Sequence, residues 1–261
     1  MKLGLAGKVA LVTGASRGIG AAIALELAKE GVSVSLVARD PARLNHVATN
    51  ISMQTGVATA AISGDLSQPA VADAVVKETL ARFGHLDILV NNAGATKRGD
   101  FFTLSETDWT EGFALKFHGY VRMARAAWPH LKAAQGCIVN IVGIGGRVGS
   151  AEFTIGGSVN SALLNFTKAL ADIGMVDGVR VNAVNPGRIE TDRLASNLAH
   201  IAEERSISRE TAAAELLAEY GTRRFGRPCE IGAFVTFLVS EQAAFVQGSL
   251  IDVDGGATRS I

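Results

Sequence analysis

The sequence predicts a doubly wound α/β domain, with about seven parallel strands in one sheet and helices on both faces. Three observations lead there. Short apolar runs without polar alternation recur along the chain, as strands buried on both faces require. Helical periodicity fills most intervals between them. Parallel neighbours need crossover connections, and right-handed βαβ crossovers cover both sides of a sheet.

The elements follow in order. "KVALVTG", residues 8–14, is an apolar run ended by glycine and reads as the first strand. "GIGAAIALELAKEG" follows as a helix, with Gly31 as its stop. "VSVSLVAR" is the second strand, and Pro41 opens the next helix because proline is tolerated in a first turn. "VATAAIS" is the third strand, followed by a helix over 68–83. "LDILVNN" is the fourth strand. Ser105 and Asp108 form a capping-box pattern before a long helix expected to run through His130. "GCIVNIV" is the fifth strand. "TIGGSVNSALLNFTKAL", residues 154–170, is an amphipathic helix with Val159, Ala162, Leu163, Phe166 and Leu170 at helical spacing. Its polar lip carries Ser158, Asn160 and Ser161. "VRVNAVNP" is the sixth strand. A short helix over 230–239 and the strand "SLIDVD" close the pattern.

Residues 189–224 are polar, arginine-bearing and weakly periodic. They read as one long insertion, and such insertions are often lids. No repeat, low-complexity tract or composition break divides the chain, so one domain is expected over 1–261. Lys+Arg and Asp+Glu balance at 25 each, which argues against nucleic acid or an anionic membrane as partner. Cys137 and Cys229 lie far apart and read as free thiols in a reducing compartment. Lys8 interrupts the N-terminal apolar run, which suits a strand better than a signal peptide. No apolar segment reaches membrane-spanning length. A soluble cytoplasmic protein without a metal site is expected.

"TGASRGIG", residues 13–20, joins the first strand to the first helix. Glycines there permit a tight turn, and the helix N-terminus offers free N–H groups to a pyrophosphate. At the end of the second strand, "LVARD" places Arg39 where an arginine suits the 2′-phosphate of NADP and an acid suits the ribose of NAD. Arg17 adds a second positive charge, and two guanidiniums can grip a phosphate by forked hydrogen bonds. NADP(H) is the expected cofactor. The alternative is NAD(H), with Asp40 on the ribose and Arg39 a solvated surface charge.

On these motifs the chain resembles the short-chain dehydrogenase/reductase family over nearly its whole length. The glycine loop matches TGxxxGxG. "GDLS", with Asp65 and Leu66, matches the adenine-contacting segment, and "NNAG", residues 91–94, the motif beside the cofactor. "NPGRIETD" matches the segment whose Ile189 and Thr191 positions usually meet the nicotinamide carboxamide, and "VDGG" matches the C-terminal end. The resemblance implies a Rossmann-type sheet and a small-molecule substrate. It implies a cofactor held by Gly14, Ser16, Arg17, Gly18, Ile19, Gly20, Arg39, Asp65, Leu66, Asn92, Ala93, Gly94, Pro186, Gly187, Ile189 and Thr191. A homotetramer or homodimer is implied as well.

The family's Asn–Ser–Tyr–Lys set has no counterpart by position. Counting from the landmarks puts Gly143 at the serine, Gly156 at the tyrosine, Asn160 at the lysine and Lys116 at the asparagine. Hydride addition to a carbonyl develops negative charge on oxygen and needs a nearby proton donor. Lys116 shares helical spacing with Trp109, Phe113 and Tyr120, so it is expected beside the buried face with its ammonium in the space vacated at 160. From there it would hold the ribose or act as the acid, its pKa lowered by desolvation. The alternative is a lysine whose stem packs and whose head reaches solvent. Gly143, Gly156 and Gly157 are expected to leave open space near the nicotinamide. Ser150, Glu152, Thr154, Ser158 and His118 are further candidate donors, and Lys97 and Arg98 candidates to meet an anionic substrate; surface or capping roles are the alternative for each. Three functions remain open: an NADP(H)-dependent oxidoreductase with a non-standard proton donor, a nucleotide-binding protein without redox turnover, and a lyase or dehydratase on the same scaffold.

Overall fold

A computed structural model describes residues 2–259. Seven strands form one parallel sheet: β1 Val9–Thr13, β2 Ser33–Ala38, β3 Thr59–Ser63, β4 Ile88–Asn91, β5 Cys137–Ile141, β6 Arg180–Pro186 and β7 Leu250–Val253, in the order β3-β2-β1-β4-β5-β6-β7. β1 and β5 are buried at every position, as strands covered on both faces must be. The order reverses between β1 and β4. In a sheet of this kind the ligand crevice opens there, beyond the carboxyl ends of the strands.

Helices cover both faces. On one side α1 (Gly18–Lys29), α2 (Pro41–Thr55) and α9 (Pro228–Val239) supply Ile23, Leu27, Leu44, Ile231 and Val235 to one core. On the other, α3 (Val71–Phe83), α5 (Gly119–Ala134) and α6 (Thr154–Asp177) supply Val75, Met123, Leu131 and Ala171 to a second. Gly31 lies just past α1 with φ +82°, as a left-handed stop requires. Pro41 is in the first turn of α2, and Asp40 caps that helix by accepting a hydrogen bond from Arg43 N at 3.1 Å.

Three expectations change. The helix predicted to begin at 68 begins at Val71. The long helix through His130 is present with its capping box, but it is not uniformly α-helical: α4 (Glu106–Gly112) passes into a π-helical turn, Phe113–His118, before α5 continues to Ala134. Periodicity at 3.6 residues cannot reveal one inserted residue per turn, and π-turns often mark functional sites. Lys116 sits in that turn. The 189–224 insertion folds into two helices, α7 (Asp192–Arg205) and α8 (Arg209–Tyr220). Its periodicity is faint because each buries little: Leu194 and Ala202 on one, Ala212 and Leu216 on the other. An isolated bridge from Ile189 to Gly226 closes the base of this unit. No described helix is long and apolar enough to cross a membrane.

Candidate functional site

The expected cofactor residues lie at or beyond the carboxyl ends of β1, β2, β3, β4 and β6. Gly14 takes φ +66°, and a Cβ there would lie 2.9 Å from Ala93 Cα and 2.9 Å from Asn92 Nδ2. A Cβ at Gly20 would overlap the Gly14 carbonyl oxygen and lie 2.5 Å from Asn92 Nδ2. One at Gly18, where φ is +57°, would press on the Thr191 methyl at 3.3 Å. Arg17 occupies the N-cap of α1 without a side-chain capping bond, so the first N–H groups of that helix face the loop unsatisfied by a side chain. Asn92 Nδ2 donates to Thr13 O at 2.9 Å and to Gly14 O at 3.2 Å, while the N–H groups of Asn92 and Ala93 both donate to Thr13 Oγ1. The Asn92 side chain is therefore spent on holding the end of β1. Ile19 is half-buried and packs on the core, and Leu66 is buried. Pro186 ends β6, and Gly187 backs closely onto Asp254.

At the outer end, Arg39 is exposed and no carboxylate lies within ion-pair distance of it among the described residues. Asp40 is committed to its helix cap and to Arg43 at 3.4 Å, so it is not free for a ribose. Arg17 Nη1 lies 3.5 Å from Asp192 on the surface. Asp65 is opposed by burial, which raises its pKa. Hydrogen bonds from Ser67 and the charge of Arg39 outweigh that effect and leave the carboxyl below its usual range.

At the inner end, Lys116 Nζ donates to Val142 O at 2.6 Å and to Asn160 Oδ1 at 2.7 Å. The residue keeps some surface on the crevice, but its ammonium is enclosed by protein. Burial, with the charge of Arg193 added, brings its pKa down to about 7. Its stem lies across Gly94, where a Cβ would come within 2.8 Å of Lys116 Cδ. A snorkelling lysine is excluded. Asn160, expected on a polar lip, is instead 3% exposed and turned inward to accept this bond; the lip holds Ser158 and Ser161.

The expected open space is absent. A Cβ at Gly156 would overlap the Phe153 ring, and one at Gly145 would lie 2.8 Å from the same ring. Phe153 thus fills the place from which a side chain at 156 would start. Gly157 faces Gly145 O at 3.2 Å, and Gly143, with φ +119°, faces Asn160 Nδ2 at 3.4 Å. Of the other candidate donors, Ser150, Glu152, Ser158 and His118 are exposed, and Thr154 begins α6 with a buried hydroxyl that has no partner. Tyr120 is structural: its hydroxyl donates to Ile141 O at 2.9 Å, and burial pushes its pKa far up. Lys97 is held by Asp108 at 2.9 Å. Sequence reasoning missed Arg193, whose guanidinium donates to Gly94 O at 2.7 Å across the crevice. Its only signal was a position two residues past Thr191.

The chain as a whole has counterparts among known proteins. The family model described as Enoyl-(Acyl carrier protein) reductase matches residues 14–258. The 3-oxoacyl-(acyl-carrier-protein) reductase of Staphylococcus aureus is 32% identical over 251 residues, 95% of this chain and 97% of that protein. L-sorbose reductase from Gluconobacter frateurii, solved with NADPH and L-sorbose, superposes with a TM-score of 0.96 at 33% identity, covering 100% of both chains. A short chain dehydrogenase from Burkholderia cenocepacia, solved with NADP, gives 0.85 at 31% identity over 97% of this chain and 98% of its own. The chain belongs to the short-chain dehydrogenase/reductase family.

Proposed function

We propose that this protein is an NADP(H)-dependent oxidoreductase of carbonyl and alcohol groups in which Lys116 takes over the proton chemistry. The observation that carries the reading is the Lys116 ammonium held between Val142 O at 2.6 Å and Asn160 Oδ1 at 2.7 Å, where burial brings its pKa down to about 7. Two of its three N–H donors are spent there, which leaves one proton to give.

The crevice fits the cofactor by its own geometry. The glycine turn admits no Cβ at 14 or 20, and the α1 N-terminus keeps its N–H groups for a pyrophosphate. Arg39, which has no ion-pair partner among the described residues, is placed for a 2′-phosphate, while Asp40 caps its helix and pairs with Arg43. Ile189 and Thr191 border the far end, with Thr191 against Gly18. When bound, the nicotinamide supplies or accepts a hydride. The rest falls to the chain. Lys116 gives its free proton to the oxygen of a reduced carbonyl and recovers it in the reverse direction. Asn160 Oδ1 and Val142 O hold the ammonium in position. Burial keeps its pKa near the working pH, where an acid is most effective. The α7–α8 unit closes over the crevice as its lid. The L-sorbose and 3-oxoacyl substrates of the relatives make a ketone the first class to try.

The test is NADPH oxidation against a ketone panel. On any ketone that turns over, Lys116→Met lowers kcat about 10²–10⁴-fold, the range for a lost general acid. The wild-type reduction rate falls as pH rises through about 7, because the donor is the protonated form. The variant loses that limb. Tight NADPH binding with no oxidation by any ketone would establish a nucleotide-binding protein without turnover, and an unchanged rate in Lys116→Met would remove the lysine from the mechanism.

A further inference from the structure

We propose that Arg98 and Arg188 form an anion-binding pair at the mouth of the crevice, and that the substrate carries a carboxylate or phosphate which they hold. The proposal deepens the reductase reading and names the substrate class of the same site.

Both guanidiniums are fixed by aromatic faces. Arg98, in the loop after β4, lies 4.3 Å from the Phe153 ring centroid. That loop is pinned to the turn before α6 by Gly99 N donating to Glu152 O at 3.2 Å. Arg188, just past β6, lies 4.7 Å from the Tyr220 ring centroid and donates to the Tyr220 hydroxyl at 2.6 Å. Arg98, held by its face, keeps its N–H edges for a planar oxyanion, and Arg188 keeps those it does not donate to Tyr220; both lose little freedom in binding an anion.

The two charges act on each other. Arg98 has its pKa lowered by burial first and then by Arg188, and Arg193 adds a third cation to the same field. Tyr220 and Glu152 are near enough to offset part of this. Yet among the described residues no carboxylate comes within 4.0 Å of Arg98, Arg188 or Arg193, although Arg147, Arg205 and Arg224 each have one. In a chain of zero net charge this is a local excess, and an anion would relieve it.

Placement separates this pair from the cofactor's phosphates. Arg39 follows β2, whereas Arg98 follows β4 and Arg188 follows β6. β6 lies four strand spacings from β2, about 19 Å at roughly 4.8 Å each. Arg98 instead covers the ring that fills the space beside Gly156, at the reacting end.

Calorimetric titration of the full-length protein, with and without NADPH, tests the pair. Two matched probe sets are used: 4-oxopentanoate against its methyl ester, and dihydroxyacetone phosphate against dihydroxyacetone. One charged member should bind at least about tenfold tighter than its neutral partner, and which set shows it identifies carboxylate or phosphate. Raising salt should shrink that ratio, a readout that needs no variant. Arg98→Met and Arg188→Met should each reduce it about tenfold, while Lys97→Met, whose cation is committed to Asp108, leaves it in place. Equal affinities within both sets, no binding of either charged probe below about 10 mM, or a ratio that survives the double variant overturns the proposal. The readout is binding, so the two readings fail separately: charge-selective binding in a protein that oxidises NADPH with no ketone of the panel would retain the pair and overturn the reductase reading.

Discussion

Gly20 and Gly156 are both buried glycines in helices that border the crevice, and at both an added Cβ would collide with a neighbour. The neighbours differ in kind. Gly20 faces the Gly14 carbonyl and the clamped amide of Asn92, which are fixed by the turn and by the end of β1. Gly156 faces a side chain, the ring of Phe153, which belongs to a short turn and can be exchanged by mutation. The first glycine is required by backbone geometry, and so the glycine-turn half of the crevice has little room to vary. The second is required only by the residue three positions before it. The half of the crevice around Gly156 is packed by side chains, with Phe153 in the space beside 156 and Lys116 bonded to Asn160.

This contrast predicts unequal responses. Gly20→Val overpacks fixed backbone at a cost of roughly 1–3 kcal/mol, and the strain falls on the turn that shapes the phosphate cradle. NADPH affinity should fall about a hundredfold in a fluorescence titration, with no relief from any second substitution. Full affinity in that variant would mean the turn is not rigid. Arg39→Met tests the same half more gently. Losing charge-assisted bonds to a 2′-phosphate should weaken NADPH about tenfold while NADH is unaffected. A parallel loss for both nucleotides would place Arg39 elsewhere. The smallest effect belongs to the reacting half. Gly156→Ala should destabilise the protein by about 1–2 kcal/mol in urea unfolding, and by about 1 kcal/mol less when Phe153→Ala is already present. Additive costs would show that the ring is not what Gly156 accommodates.

The glycine loop was legible because its conformations are ones that only glycine adopts easily, and α1 begins within it. The capping box at Ser105 and the proline at 41 were legible for the same local reason. The candidate site was legible in part. Counting brought Lys116 and Asn160 into one neighbourhood, and the 2.7 Å bond between them agrees. The π-helical turn, the inward rotation of Asn160, the place of Phe153 and the reach of Arg193 were not legible, because each depends on what another element presents at that point.

The sequence by itself determined the alternation of strands and helices in a layered sheet and the glycine turn after β1, since burial period, helix stops and left-handed glycines are properties of short stretches; the strand order came only with the structure. Only the tertiary structure decided what occupies the reacting end. Whether an ammonium is held by a distant carbonyl and amide, or an arginine is left without an acid, is decided by distances between residues far apart in the chain.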